Sequence, residues 1–147
     1  MEIKKLNKTD VQALTNLERE LFSNPFNEQS CLQELTEANR LYLGLFNNNN
    51  LIAYAGATIV FNSADIIKVG VVKAEQGNGY GKLILNQLIT ELKNCGVTEI
   101  ILEVEHENFK AISLYLGAGF TEISERKNYY GLNSHAKIFK LELNNEN

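Results

Sequence analysis

Between Lys73 and Ile89 the sequence reads KAEQGNGYGKLILNQLI. Gly77, Gly79 and Gly81 fall within five residues, directly before an apolar helical pattern. Glycine loses more conformational freedom on folding than any other residue, so such a cluster needs a reason. A helix start exposes unpaired backbone N–H groups and the positive end of the helix dipole, which together favour an anion. Glycines ahead of it let those N–H groups converge with no side chain in the way. This stretch therefore commits the chain to a strand–loop–helix unit. A glycine-rich turn with no ligand is the plainer alternative.

Three phosphate-binding patterns can be laid on the loop. A P-loop needs G-x-x-x-x-G-K-[ST]. Set on Gly81–Lys82, it puts Gln76 at the first glycine and Leu83 at the last position, and fails. The dinucleotide pattern G-x-G-x-x-G puts Lys82 or Ile84 at the third glycine, and fails as well. The pattern [Q/R]-x-x-G-x-[G/A] is met by Gln76, Gly79 and Gly81.

The rest of the chain supplies elements for an α/β domain with a mixed, mostly antiparallel sheet of about six to seven strands and about four helices. EIKKL (2–6) reads as a strand. Thr9 or Asp10 is expected to cap a helix carrying Val11, Leu14, Leu17 and Leu21 at helical spacing. A short helix is predicted over about 28–37. RLYLGLF and LIAYAGATIV form a hairpin across the asparagines 47–50. DIIKVGVVK is a strand leading to the glycine loop, and the helix after it stops at Gly96. TEIILEVE is a strand, NFKAISLYLGAG a helix with Phe109, Ile112 and Leu116 as its core stripe, and FTEISERK with AKIFKLEL a closing antiparallel pair. With 147 residues, no repeat and no linker, the expectation is one domain over 1–147 with a frayed tail at 143–147.

Composition narrows the function classes. A net charge of −4 disfavours nucleic acid as the main partner. No apolar run approaches the ~20 residues of a membrane span, and the first residues lack a signal-peptide core. Cys31 and Cys95, far apart and outside any zinc-binding spacing, are expected to be buried or semi-buried thiols in a reducing compartment, so the cytoplasm is the expected location.

The third loop pattern, with its strand before and helix after, resembles the pyrophosphate signature of the GNAT superfamily of acyl-CoA-dependent N-acyltransferases. The likeness extends over nearly the whole chain. LERELFSNPF is similar to the superfamily's first helix and Pro-Trp loop. ILEVEHENFKAISLYLGAGF and ISERKNYY resemble its RimI-type ribosomal-protein-alanine N-acetyltransferases. The resemblance implies a GNAT fold and acetyl-CoA as cosubstrate, with no metal. It implies that Val69, Gly70 and Val71 hold the pantetheine arm as an added strand would. It places Gln76, Gly77, Asn78, Gly79, Tyr80, Gly81 and Lys82 around the pyrophosphate, and Asn108 against CoA. Gly70 also fits close backbone approach by a ligand, or a bulge. Asn108 is in any case a sound helix N-cap.

The resemblance further makes Glu103 the base and Tyr115 the acid. From the residues alone, Glu103 fits equally a wetter strand face shared with Ile101 and Glu105, and Tyr115 fits a core aromatic. Partial burial would make Glu103 a better base. Pro25, Phe26, Tyr129 and Tyr130 match positions that line the family's peptide cleft. Phe26 stands where tryptophan is usual, Gly131 where proline is, and Ser134–His135–Ala136 where Glu-Asp-Ala is. His106 and His135 read as solvated residues. The expected amine is the N-terminal alanine of a small-subunit ribosomal protein, with a monomer or weak homodimer as the enzyme. A small-molecule amine, a non-catalytic CoA-binding module and a binder of another nucleotide are the rival expectations.

Overall fold

The structure is a computed structural model that describes residues 1–143. Of the tail expected to fray, 144–147 lie outside the described residues. Leu143 is tied down, its N–H donating to the Thr98 carbonyl at 2.8 Å.

The strands are β1 (Glu2–Lys5), β2 (Arg40–Asn47), β3 (Asn50–Val60), β4 (Ser63–Val71), β5 (Glu99–Glu105), β6 (Thr121–Gly131) and β7 (Ser134–Glu142). The helices are α1 (Val11–Leu21), α2 (Glu28–Thr36), α3 (Tyr80–Asn94) and α4 (Phe109–Gly117). One sheet runs in the order β1-β2-β3-β4-β5-β7-β6. Every pairing is antiparallel except β4 with β5. The element order and the mixed sheet are those expected from the sequence.

Two apolar layers cover the sheet. On one face α1 and α2 pack Leu14, Leu17 and Cys31 against Tyr42, Phe46 and Tyr54. On the other, α3 lays Ile84, Leu85, Leu88 and Leu92 over Leu43, Ala55, Ile100 and Leu102. Asn48 and Asn49 turn the β2–β3 hairpin with φ of 50° and 68°, the left-handed pair that such tight turns favour.

Three expectations are corrected. Asp10 stands at the N-cap of α1 but makes no side-chain cap there; the capping side chain is Asn7, which accepts from Thr9 N–H at 2.9 Å while Asp10 accepts from Asn7 N–H, and a 3₁₀ turn over Lys8–Asp10 precedes the helix. On α4, Phe109 and Leu116 are exposed and Tyr115 is the buried residue. An almost wholly apolar helix does not declare its inner face by periodicity. Cys31 is buried as expected, but Cys95, at the end of α3, is exposed.

The feature that positions the site is a parting of strands. β4 and β5 pair only at Ser63–Asp65 with Glu99–Ile101. The β3–β4 register passes from Gly56 opposite Lys68 to Ala57 opposite Ile66, leaving Ile67 as an extra, bulged residue. A bulge bends its strand and sharpens the local twist. Beyond it, β4 remains paired with β3 but not with β5.

Candidate active site

The loop after β4 explains the glycines. Gly77 and Gly79 have φ of +87° and +83°, the left-handed region that side-chain-bearing residues rarely enter. Gly79 is the N-cap of α3 and offers no side-chain cap to the helix N–H groups. A Cβ built on either glycine would meet nothing within 4 Å. The backbone here is open to a ligand from outside. Gly81 differs: it lies inside α3 with no positive φ, and its Cβ position is 3.6 Å from Val71.

These residues line a groove of ≈ 460 Å³ running between the end of β4 and the starts of α3 and α4. Val69, Gly70, Val71, Gln76, Gly77, Gly79, Tyr80, Gly81, Lys82, Asn108 and Tyr115 all border it. Asn78 does not; its amide donates to the Glu75 carbonyl at 3.2 Å and braces the loop from behind. Gln76 ties the walls together, donating to the Val71 carbonyl at 2.9 Å and accepting from Lys110 Nζ at 3.4 Å. Asn108 caps α4 by accepting from Ala111 N–H at 3.3 Å. The Cβ side of Gly70 is filled from within the protein, by Leu21 at 2.8 Å and Tyr54 at 3.0 Å. Gly70 is thus a packing glycine under α1, and the bulge sits at Ile67 instead. The reading missed Leu21, Phe22, Lys110, Ser113 and Leu114 on the groove wall. Lys110 carried a signal, being a cation one residue into the helix that follows β5.

Tyr115 is 7% exposed, edge-on to Phe120 at 5.7 Å between ring centres. Burial pushes its phenol up to about 12.

Glu103 borders a second depression, of ≈ 400 Å³, with Asp65, Ile67, Ile101, Arg126, Tyr130 and Ile138 among its walls. β4 runs beside both hollows: Asp65–Ile67 face this one, Val69–Val71 the groove. Glu103 does lie on the wetter face of β5, with Ile100, Leu102 and Val104 buried on the other. It is exposed, and its carboxylate lies 4.0 Å from Arg126 Nη1. Burial, then the charge of Glu103, pushes the Tyr130 phenol up. Burial, with Glu99 adding to it, does the same to the Asp65 carboxyl. Tyr129 meets Tyr130 edge-on at 5.2 Å and lies under the Arg126 guanidinium at 5.4 Å.

Pro25 and Phe26 border neither hollow. Phe26 lies under Lys68 Nζ at 3.8 Å, and its N–H donates to Glu18 at 2.8 Å. The same Glu18 oxygen takes Lys68 at 2.8 Å, and the other accepts the Tyr54 hydroxyl. Glu18 is wholly buried.

Among the described residues, the grouping of histidine and acidic side chains close enough to share a cation is Glu105, His106 and Glu107. Its atoms are engaged with one another and with β7, His106 Nδ1 lying 2.7 Å from Glu105 and accepting from His135 N–H at 3.0 Å. We assign no metal to it.

The model of the Acetyltransferase (GNAT) family matches residues 11–120. A [ribosomal protein bS18]-alanine N-acetyltransferase from Escherichia coli K12 is 33% identical over 128 residues, 87% of this chain and 86% of that one. One from Haemophilus influenzae is 41% identical over 90 residues, 61% of each chain. The crystal structure of the E. coli ribosomal-protein-S18-alanine N-acetyltransferase superposes with a TM-score of 0.90 at 29% identity, covering 99% of this chain and 96% of that one. The Salmonella typhimurium protein yncA, solved with its cofactor acetyl-CoA, shares the fold at a TM-score of 0.86 and 22% identity, covering 100% of this chain and 96% of that one. The chain belongs to the GNAT family and is an N-acetyltransferase.

Proposed function

We propose that the protein acetylates the N-terminal alanine of a small-subunit ribosomal protein in the cytoplasm, with acetyl-CoA as donor. The observation that carries this is the junction of two hollows along β4, one fitted to CoA and one acidic and aromatic. Acetyl-CoA supplies the thioester. The open N–H groups from Gly77 to Lys82 take the pyrophosphate at the start of α3. Val69–Val71, free of β5, offer backbone groups to the pantetheine amides, as an edge strand would.

The thioester then lies where the groove meets the Glu103 hollow. The amine nitrogen attacks the acetyl carbon, the new C–N bond forms, and the C–S bond breaks. Glu103, directly or through water, accepts the proton lost by nitrogen. An α-amine, with a pKa of about 7.7–8.0 against about 10.4 for lysine, is partly free at neutral pH and asks little of an exposed carboxylate. Tyr115 faces the departing sulfur. Proton transfer from a phenol near 12 to a thiolate whose acid is near 8.5 is uphill by about 5 kcal/mol. Tyr115 therefore stabilises the thiolate by donating a hydrogen bond, with the proton staying on oxygen. Tyr129 and Tyr130 wall the peptide side, and Phe26, next to Pro25, braces α1 through its N–H to Glu18.

The test is CoA release with a panel: an alanine-terminated peptide, the same peptide with a blocked N-terminus, a polyamine and an aminoglycoside. The expected kcat/KM is highest for the free alanine peptide. A preference for the polyamine or aminoglycoside would replace the peptide reading with a small-amine one.

A further inference from the structure

The peptide-side wall hangs on a histidine. β6 and β7 pair at Arg126 with Ala136 and again at Gly131 with Ser134. Between these pairs β6 has four residues, Lys127 to Tyr130, and β7 has only His135. The four bulge outward, and Asn128 turns with φ of 57°. Asn128 N–H has no ladder partner across the bulge; it donates to the imidazole Nδ1 of His135 at 2.8 Å. Asn128 in turn accepts from Asn133 N–H at 2.8 Å, closing the hairpin end. A backbone N–H can only donate, so His135 Nδ1 must present a lone pair.

We propose that His135 is a positioning residue for the Tyr129–Tyr130 wall, holding it through Asn128 N–H only while Nδ1 carries no proton, so that peptide affinity is lost in mild acid. The role of the wall rests on the function proposed above; the hydrogen bond does not. A proton on Nδ1 converts the acceptor into a donor facing a donor. The bulge then loses the bond that replaces its ladder, and Tyr130, with Tyr129 packed edge-on against it, is free to leave the Glu103 hollow.

The groups around His135 set the context. From the end of β5 come His106, with its ring centre 4.6 Å away, Glu105, which lies 2.7 Å from His106 Nδ1, and Glu107 beyond it. Glu105 also accepts from Ser134 Oγ at 3.3 Å. From β6 come Lys127, adjacent to Asn128, and Arg126, which is turned to Glu103. The backbone N–H of His135 donates to His106 Nδ1 at 3.0 Å and ties β7 to the end of β5.

The informative variant is His135→Asn, whose side-chain oxygen can stand where Nδ1 stands and does not titrate. The Asn128 backbone amide is followed by NMR from pH 8 to pH 5.5, across the range in which imidazoles change charge. In the wild type it is expected to move with the His135 ring resonances; in His135→Asn it stays put. In steady-state assays with the alanine-terminated peptide, KM from pH 8 to pH 6 should rise about five-fold more in the wild type than in His135→Asn, as the loss of one ordinary hydrogen bond dictates. The kcat values should keep the same pH course. His135→Ala should show the raised KM at both pH values. A pH-independent Asn128 amide in the wild type, a shift that persists in His135→Asn, or equal pH slopes of KM in both proteins would overturn the proposal. If no peptide is turned over, the function proposed above fails, and the amide titration alone decides this one.

Discussion

Glu18 carries its charge with no exposure to water and spends it on three donors: Phe26 N–H, Lys68 and the Tyr54 hydroxyl. Removing one partner of a buried charge network leaves the others uncompensated, which costs about 3–5 kcal/mol. Glu18→Ala is expected to lose about 3 kcal/mol of stability in urea titration. A loss within experimental error would mean that the network is structurally idle. At Glu103, replacement by Gln should lower kcat/KM about 100-fold at neutral pH, the usual contribution of a positioned base. Tyr115→Phe should lower kcat by about the same factor and leave the acetyl-CoA KM nearly unchanged. Because burial holds the Tyr115 phenol at about 12, its donor form survives throughout ordinary assay conditions. Any fall in kcat from its ionisation begins only as pH climbs towards about 12, and a limb below about pH 10 would contradict the assignment. In the sequence, Glu103, Tyr115 and the tyrosine pair could be found by resemblance. Glu18 could not be ranked: it sits on the Leu14–Leu21 stripe, but its cationic partner is fifty residues away. His135 looked like a solvated loop residue because nothing local announces a bulge opposite it.

The glycine loop shows what an element-level pattern can and cannot say. Its place between a strand and a helix was readable from periodicity, and the structure leaves its backbone open at the start of α3. Which glycine does which job needed the backbone angles. Gly79→Ala forces a side chain into the left-handed region and is expected to cost about 1–2 kcal/mol. Gly81→Ala replaces a helical glycine whose Cβ meets only ordinary contact, and is expected to leave stability unchanged or raise it by up to about 1 kcal/mol. Thermal unfolding of both variants checks the contrast; equal losses would mean that φ is not what selects these residues. For α4, the sequence pattern gave the element but misplaced its inner face, since seven of its nine residues are apolar or glycine. For α1, Asp10 holds the N-cap position but the side-chain cap is made by Asn7, two or three positions before the residues expected to make it, because a 3₁₀ turn precedes the helix.

At the scale of the whole molecule, the order of elements was legible and the parting of β4 from β5 was not. It follows from one extra residue, Ile67, that no turn chemistry marks. Yet that parting opens the groove beside Val69–Val71, where the proposed function puts the CoA arm, and sets the two hollows side by side. A ligand that binds only this folded arrangement stabilises it by about 2.7 kcal/mol at a hundred times its dissociation constant. CoA and acetyl-CoA should therefore raise the melting temperature by several degrees, with ADP and NAD doing less at equal concentration; equal shifts for all four would mean that the groove reads the phosphates alone. The most direct test of the account uses a peptide with an N-terminal alanine and one internal lysine, incubated with the enzyme and acetyl-CoA. Fragmentation by mass spectrometry then locates the acetyl group. The account requires one acetyl group, on the alanine nitrogen, formed in step with CoA release and largely lost in Glu103→Gln. Acetyl on the lysine side chain, or none on the peptide while a polyamine is consumed, would contradict it.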